Sequence, residues 1–178
     1  MADSMSMQAN LRAALDSAHY ILEGTMADVT DEVANAPAPG RANPVGSSYA
    51  HAVIAEDAIV NGYLGGRAPL LMTTWAGRTG VDKPMPMPGM LEGDLGEWYH
   101  SVRVNVAACR EYAKAVAASA AEYISGADDA TLNRVLDSPF GKYPLSVFFQ
   151  IFVVGHLNSL AGEVSAIKGV QGLKGYPF

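Results

Sequence analysis

The feature that most limits how this chain can fold is the stretch 144–168, the most apolar helical run in its 178 residues. Leu145, Phe149, Phe152 and His156 recur in it at helical spacing, so the run needs other helices to cover it. A polar imidazole on that stripe is costly unless something satisfies it. Steps of four and three place His156, Leu160 and Glu163 on one face. The arrangement points to a polar or metal site inside an all-α bundle.

Three further helical runs supply the cover. Helix 1 is expected from about residue 5 past Leu22 toward residue 33, with Leu11, Leu15, Ala18, Leu22 and Met26 on its stripe. Pro37, Pro39 and Gly40 end it. Helix 2 is expected to open with Asn43 as cap and Pro44 at the first helical position, and to stop at Gly65-Gly66. Helix 3 has Asp94 as cap and Glu97 three residues later, a capping-box pattern, with its stripe running from Trp98 through Cys109 to Val116. Residues 128–143 read as a mixed connector with a short extended piece around Val135. Helix 4 opens at Pro144 and stops at Gly169. The tail, ending Tyr176-Pro177-Phe178, is expected to dock on the bundle.

Between helices 2 and 3 lies 67–93, where Pro84, Pro86 and Pro88 alternate with other residues and exclude a helix. A crossover of that length lets helices 2 and 3 run parallel. Loops of this kind also serve as lids, binding edges or contacts between copies.

Composition narrows the function. Hydrophobic residues make up 49% of the chain and charged residues 17%, as in one ordinary globular domain over 1–178. A net charge of −6 with only 12 Lys and Arg argues against nucleic acid as a partner. The lone cysteine, Cys109, cannot close an internal disulfide, which fits a reducing cytoplasm. Residues 1–10 lack the apolar run of a signal peptide, and no apolar run is read as long enough to span a bilayer, so the expectation is a cytoplasmic protein without a membrane partner.

Four histidines are available for a site. His51 shares its helical face with Ile54, Ala55 and Ala58, whereas Glu56 and Asp57 fall on other faces. Alone, His51 reads equally well as a core histidine bonded to a neighbour, and so does His156; together, on two different helices, they form a candidate metal pair. His19, at the edge of the helix 1 stripe, and Glu163 are the candidate additional donors. His100 reads as a surface residue, and Cys109 as a buried, inert thiol. Tyr20, Tyr49, Tyr63, Trp75 and the methionine-proline loop could line a small apolar pocket, although core packing is the plainer use of each.

Three segments carry a family resemblance: Tyr49-Ala50-His51-Ala52-Val53-Ile54-Ala55-Glu56-Asp57, Gly155-His156 through Gly162-Glu163-Val164, and the ending from Lys168-Gly169 to Lys174-Gly175. The chain resembles the DinB-like superfamily, which takes in YfiT-like proteins and thiol-dependent transferases and isomerases. The resemblance implies a four-helix bundle with a long crossover between helices 2 and 3, paired as a homodimer. It also implies a divalent metal, nickel or zinc, held by one histidine of helix 2 and two histidines four residues apart on helix 4. His51 and His156 take two of those positions and Leu160 takes the third, which leaves the metal short of a ligand. The implied activity is a metal-dependent transferase, isomerase or hydrolase that uses a low-molecular-weight thiol. The alternative is a degenerate bundle without catalytic metal that binds a small-molecule ligand or acts through its surface.

Overall fold

The computed structural model describes residues 5–87 and 91–178. Part of the proline-rich crossover, 88–90, and the first four residues lie outside the described set. Four long rods form the bundle, joined by short helices and one hairpin. The elements are α1 (Met7–Thr25), α2 (Asp31–Ala34), α3 (Val45–Asp57), α4 (Leu95–Ser101), α5 (Val106–Ser125), α6 (Asp129–Asn133), β1 (Val135–Ser138), β2 (Gly141–Pro144), α7 (Leu145–Phe149) and α8 (His156–Val170). Each of two rods carries a π-helical segment, Ala58–Leu64 continuing α3 and Gln150–Gly155 joining α7 to α8. The apolar stripes read from the sequence face inward: Leu11, Leu15, Ala18 and Leu22 of α1, Cys109, Ala113 and Val116 of α5, and Leu145 and Phe149 of α7 are all buried, while Phe152 and His156 on the same stripe are half-buried.

Both α1 and α3 pack against α5 and α8. Cross-links give the directions. Asp57 of α3 meets Tyr112 of α5, and Asn61 one turn later meets Ser119, so these two rods run parallel, as the long crossover allows. Against α8 the order reverses, because Ser48 meets Glu163 while His51 lies beside His156.

Several boundaries differ from the sequence expectation, each for a visible reason. Helix 1 ends at Thr25 rather than near 33, and a separate turn follows, with the Thr30 hydroxyl accepting from Val33 N–H. That break lets Asp31 accept from the Val106 N–H at 2.7 Å, where a carboxylate suits the free amides at the start of α5. Pro44, not Asn43, stands at the cap position of α3, with no side-chain capping hydrogen bond, and the Asn43 amide donates to Glu163. Helix 3 is two helices. Asp94 caps α4 by accepting from Glu97 N–H, but Val102–Asn105 leave the helical path and Asn105 caps α5 afresh. Residues 128–143 contain the short α6 and then a full hairpin, with Val135 opposite Pro144 and Ser138 opposite Gly141.

The crossover is tied down at both ends of its described part. Leu70 and Leu71 N–H donate to the Asp57 carboxylate at 2.9 Å, and Trp98 Nε1–H donates to Lys83 O. Gly80 has φ +76° and lies so close to α5 that an added Cβ would sit 2.5 Å from Cys109 N, so only glycine fits this approach. The tail docks as expected: Pro177 packs on Gly24 of α1, where a Cβ would be 2.7 Å from the proline ring. Lys168, almost fully buried, donates to Thr25 O and to Asp28, both at 2.5 Å, and so satisfies the C-terminal end of α1.

One expectation is corrected by the way the pieces join. The rod Leu145–Val170 is long and apolar enough, by length and composition, to cross a membrane. Half of its most apolar window is buried inside the protein, in contact with α1 and α3, so the bundle itself explains the hydrophobicity.

Candidate functional site

His51 and His156 meet, with ring centroids 4.9 Å apart and planes at 65°. They are half-buried rather than sealed in the core, and they lie in the wall of a cavity of about 790 Å³. One wall is the α3 face His51, Ala55, Ala58 and Ile59, a helical i, i+4, i+7, i+8 stripe. The opposite wall carries Ile151, Phe152, Gly155, His156 and Ser159. Met85, Pro86 and Met87 of the crossover, Leu95 of α4 and Phe140 at the hairpin tip also line it. Volume and lining are those of a small-molecule site: mostly apolar, with a few convergent polar groups.

Both π-helical segments border this cavity, through Ala58 and Ile59 on one side and Gln150 to Gly155 on the other. Their widened turns shift the side-chain phase of each rod next to a histidine, an irregularity that recurs at ligand sites. On the hairpin side the cavity has an aromatic wall. Phe140, 62% exposed, stacks on Phe152 at 4.6 Å with planes 21° apart, and Phe148 and Tyr143 also contact Phe152.

The sequence reading missed the residue behind His51. Tyr99, on α4, has its hydroxyl hydrogen-bonded to His51 Nδ1, with ring centroids 5.4 Å apart. Burial, and secondarily the Glu163 charge, raise the Tyr99 pKa above that of an ordinary phenol. Reading 94–125 as one helix hid this residue, since the break at Val102–Asn105 is what sends α4 across the end of α3.

The candidate additional donors are drawn elsewhere. His19 Nε2–H donates to both oxygens of Glu56 at 2.9 and 3.0 Å, and neither residue lines the cavity. Burial alone would lower the His19 pKa, but the hydrogen bond and charge of Glu56, with help from Glu23 and Asp16, outweigh it and hold the pKa above 6.5. Glu163 accepts from Asn43 at 3.0 Å and Ser48 at 3.1 Å. Leu160 is buried in the core. Among the described residues, no group of three or more His, Cys, Asp or Glu is placed to hold a metal ion. Cys109 is fully buried, and burial with the Glu23 charge pushes its thiol up to about 12, as expected for an inert core cysteine. Tyr49 is committed to Glu23 at 2.5 Å.

Burial, with the His156 ring second, lowers the His51 pKa to about 4, and burial also lowers that of His156. Both are therefore neutral imidazoles at pH 7. The unfolded chain takes up a proton on His51 below pH 6.5 that the folded protein refuses until about 4, so stability falls as pH drops through that window. At roughly 1.4 kcal/mol per pH unit, reduced by solvent screening of a half-buried ring, this amounts to about 2 kcal/mol. Urea melts at pH 6.5 and pH 4.5 on the wild type and His51→Gln check it. The variant is expected to lose less stability on acidification, and equal losses would refute the assignment.

No curated protein matches the chain at a significant level. Among solved structures, a conserved protein from Enterococcus faecalis superposes with a TM-score of 0.76 at 21% identity, covering 95% of this chain and 99% of that one. At that identity the likeness speaks for the fold. A family model described as the DinB superfamily matches residues 14–158, from α1 through both histidines to the first turn of α8. The chain belongs to the DinB superfamily.

Proposed function

We propose that this protein binds a small apolar molecule in the cavity between α3 and the α7–α8 rod, with the ligand's polar end at His51 and His156. The observation that carries the reading is the pair of imidazoles meeting in the wall of a large apolar cavity. Ring stacking on Phe152 and Phe140 favours a flat ligand body.

Catalysis with a divalent metal and a low-molecular-weight thiol is the finer reading that family resemblance suggests. Two imidazoles in the neutral, ligating form support it. The donor set is nevertheless one short of the three protein ligands of a catalytic centre: Leu160 has no donor atom, His19 is held by Glu56, and Glu163 is held by Asn43 and Ser48. The residues do not fit a resident metal on their own, and binding comes first in this reading. Leu160→His adds the missing imidazole one turn after His156 and is expected to raise nickel affinity at least tenfold. An unchanged affinity would refute this placement of the third position.

The binding reading is tested by fluorescence titration with 2-acetylnaphthalene, a flat apolar ketone smaller than the cavity. Saturable binding is expected for the wild type. Ala55→Trp, which fills the α3 wall without touching the core network, is expected to weaken it at least thirtyfold at an unchanged melting temperature. Equal affinity in the two proteins would place the ligand elsewhere.

A further inference from the structure

Among the described residues, the hydroxyl of Tyr99 has a single hydrogen-bond partner, His51 Nδ1. A phenol has one proton to give, Tyr99 is buried, and buried polar hydrogens are rarely left without an acceptor. Were Nδ1–H the donor, the Tyr99 proton would have no described acceptor; with Tyr99 donating, that proton is taken, and the one left over is Nε2–H of His51, on a ring that lines the cavity. Burial keeps that phenol protonated. A neutral imidazole that accepts at Nδ1 carries its own proton on Nε2, and among the described residues no side chain or carbonyl takes that N–H. His51 lines the cavity, and neither nitrogen of His156 beside it has a protein partner among the described residues.

From this arrangement we propose that Tyr99 fixes His51 as the Nε2–H tautomer and so makes the cavity selective for flat apolar molecules that end in a hydrogen-bond acceptor, a ketone or aldehyde oxygen above all. His51 donates to that oxygen, and His156, free to adopt either tautomer, serves a second donor or acceptor on the ligand. Tyr99 is a positioning residue: it reaches the ligand only through His51. The same bond works against a cation at His51, because a protonated Nε2 has no lone pair to offer. This gives a second physical reason, beside Leu160, why metal binding in this chain would need a rearrangement.

The inference rests on the binding reading above, and two measurements separate their failures. Nitrogen-15 NMR of the ligand-free protein at pH 7.5 reads the tautomer directly: the Nε2–H form is expected for His51 in the wild type and a mixture in Tyr99→Phe. Titrations then compare 2-acetylnaphthalene with 2-ethylnaphthalene, which has the same shape and no acceptor. The wild type is expected to prefer the ketone about fivefold, in line with one net hydrogen bond, and Tyr99→Phe to prefer it less than twofold while binding the hydrocarbon unchanged. A proton found on Nδ1 in the wild type, equal affinity for the two probes, or a preference that survives Tyr99→Phe overturns the inference. Failure of both probes to bind beside an Nε2–H His51 overturns the binding reading, and the ligand class with it.

Discussion

Replacing Asp57 with alanine is expected to cost about 4 kcal/mol and lower the melting temperature by roughly 10 °C. The carboxylate is completely buried and accepts four hydrogen bonds: Asn61 Nδ2 at 2.7 Å and Leu70 N at 2.9 Å on one oxygen, Leu71 N at 2.9 Å and the Tyr112 hydroxyl at 2.6 Å on the other. Asn61 in turn accepts from Arg67 and Ser119, so the network joins α3, α5 and the start of the crossover. Alanine leaves Tyr112 and two backbone amides without acceptors, and unmade buried hydrogen bonds cost more than made ones gain. Asp57→Asn nearly keeps the shape but puts an amide where an acceptor is needed, and it is expected to lose at least half as much. Chemical denaturation gives the loss, and hydrogen exchange at Leu70 and Leu71 shows whether the crossover comes free. A loss under 1 kcal/mol in Asp57→Ala would contradict the structural role given to this residue.

Glu56→Ala is expected to cost about 3 kcal/mol at pH 6 and clearly less at pH 9. Glu56 is 3% exposed and its partner His19 is largely buried, so removing the carboxylate strands a buried imidazolium or forces it to lose its proton. The pH dependence follows from the raised His19 pKa. The pair's contribution is complete below the unfolded value near 6.5 and disappears as pH rises through the higher folded value. This slope is opposite in sign to that of His51, which separates the two histidines in one experiment. Stability measured against pH for wild type, Glu56→Ala and His19→Ala, closed by the double variant, isolates the pair. A coupling that stays constant from pH 6 to pH 9 would show that His19 is not charged in the fold.

These two carboxylates also show where sequence reasoning stopped. Counting faces from His51 separated Glu56 and Asp57 from it, but gave no sign of what those other faces meet. In fact α3 is buried on nearly every side, since Ala52, Val53, Glu56, Asp57 and Val60 face the core or α5 while His51, Ala55 and Ala58 face the cavity. A helix wrapped by protein has no polar side to betray its orientation. The bundle, the parallel crossover and the Asp94 cap were legible, because helical period, proline punctuation and capping chemistry are local; the pairing of His51 with His156 came from two inward helix faces together with the family resemblance. Tyr99 was not, because its approach depends on a helix break at Val102–Asn105 that a continuous Trp98–Val116 stripe conceals. The π-helical segments beside both histidines likewise leave no mark in composition. Glu163 shared a face with His156 on paper, yet Asn43 and Ser48 claim it, and a partner 115 residues away cannot be read from spacing.

The chain's four histidines provide the most direct test. His51 and His156 lie together in the cavity, whereas His19 is paired with Glu56 and His100 is exposed. In a proton NMR titration with 2-acetylnaphthalene, the ring resonances of His51 and His156 are expected to shift together and saturate with one dissociation constant while those of His19 and His100 stay fixed. Saturable shifts at His19 or His100, with His51 and His156 unmoved, would contradict the account.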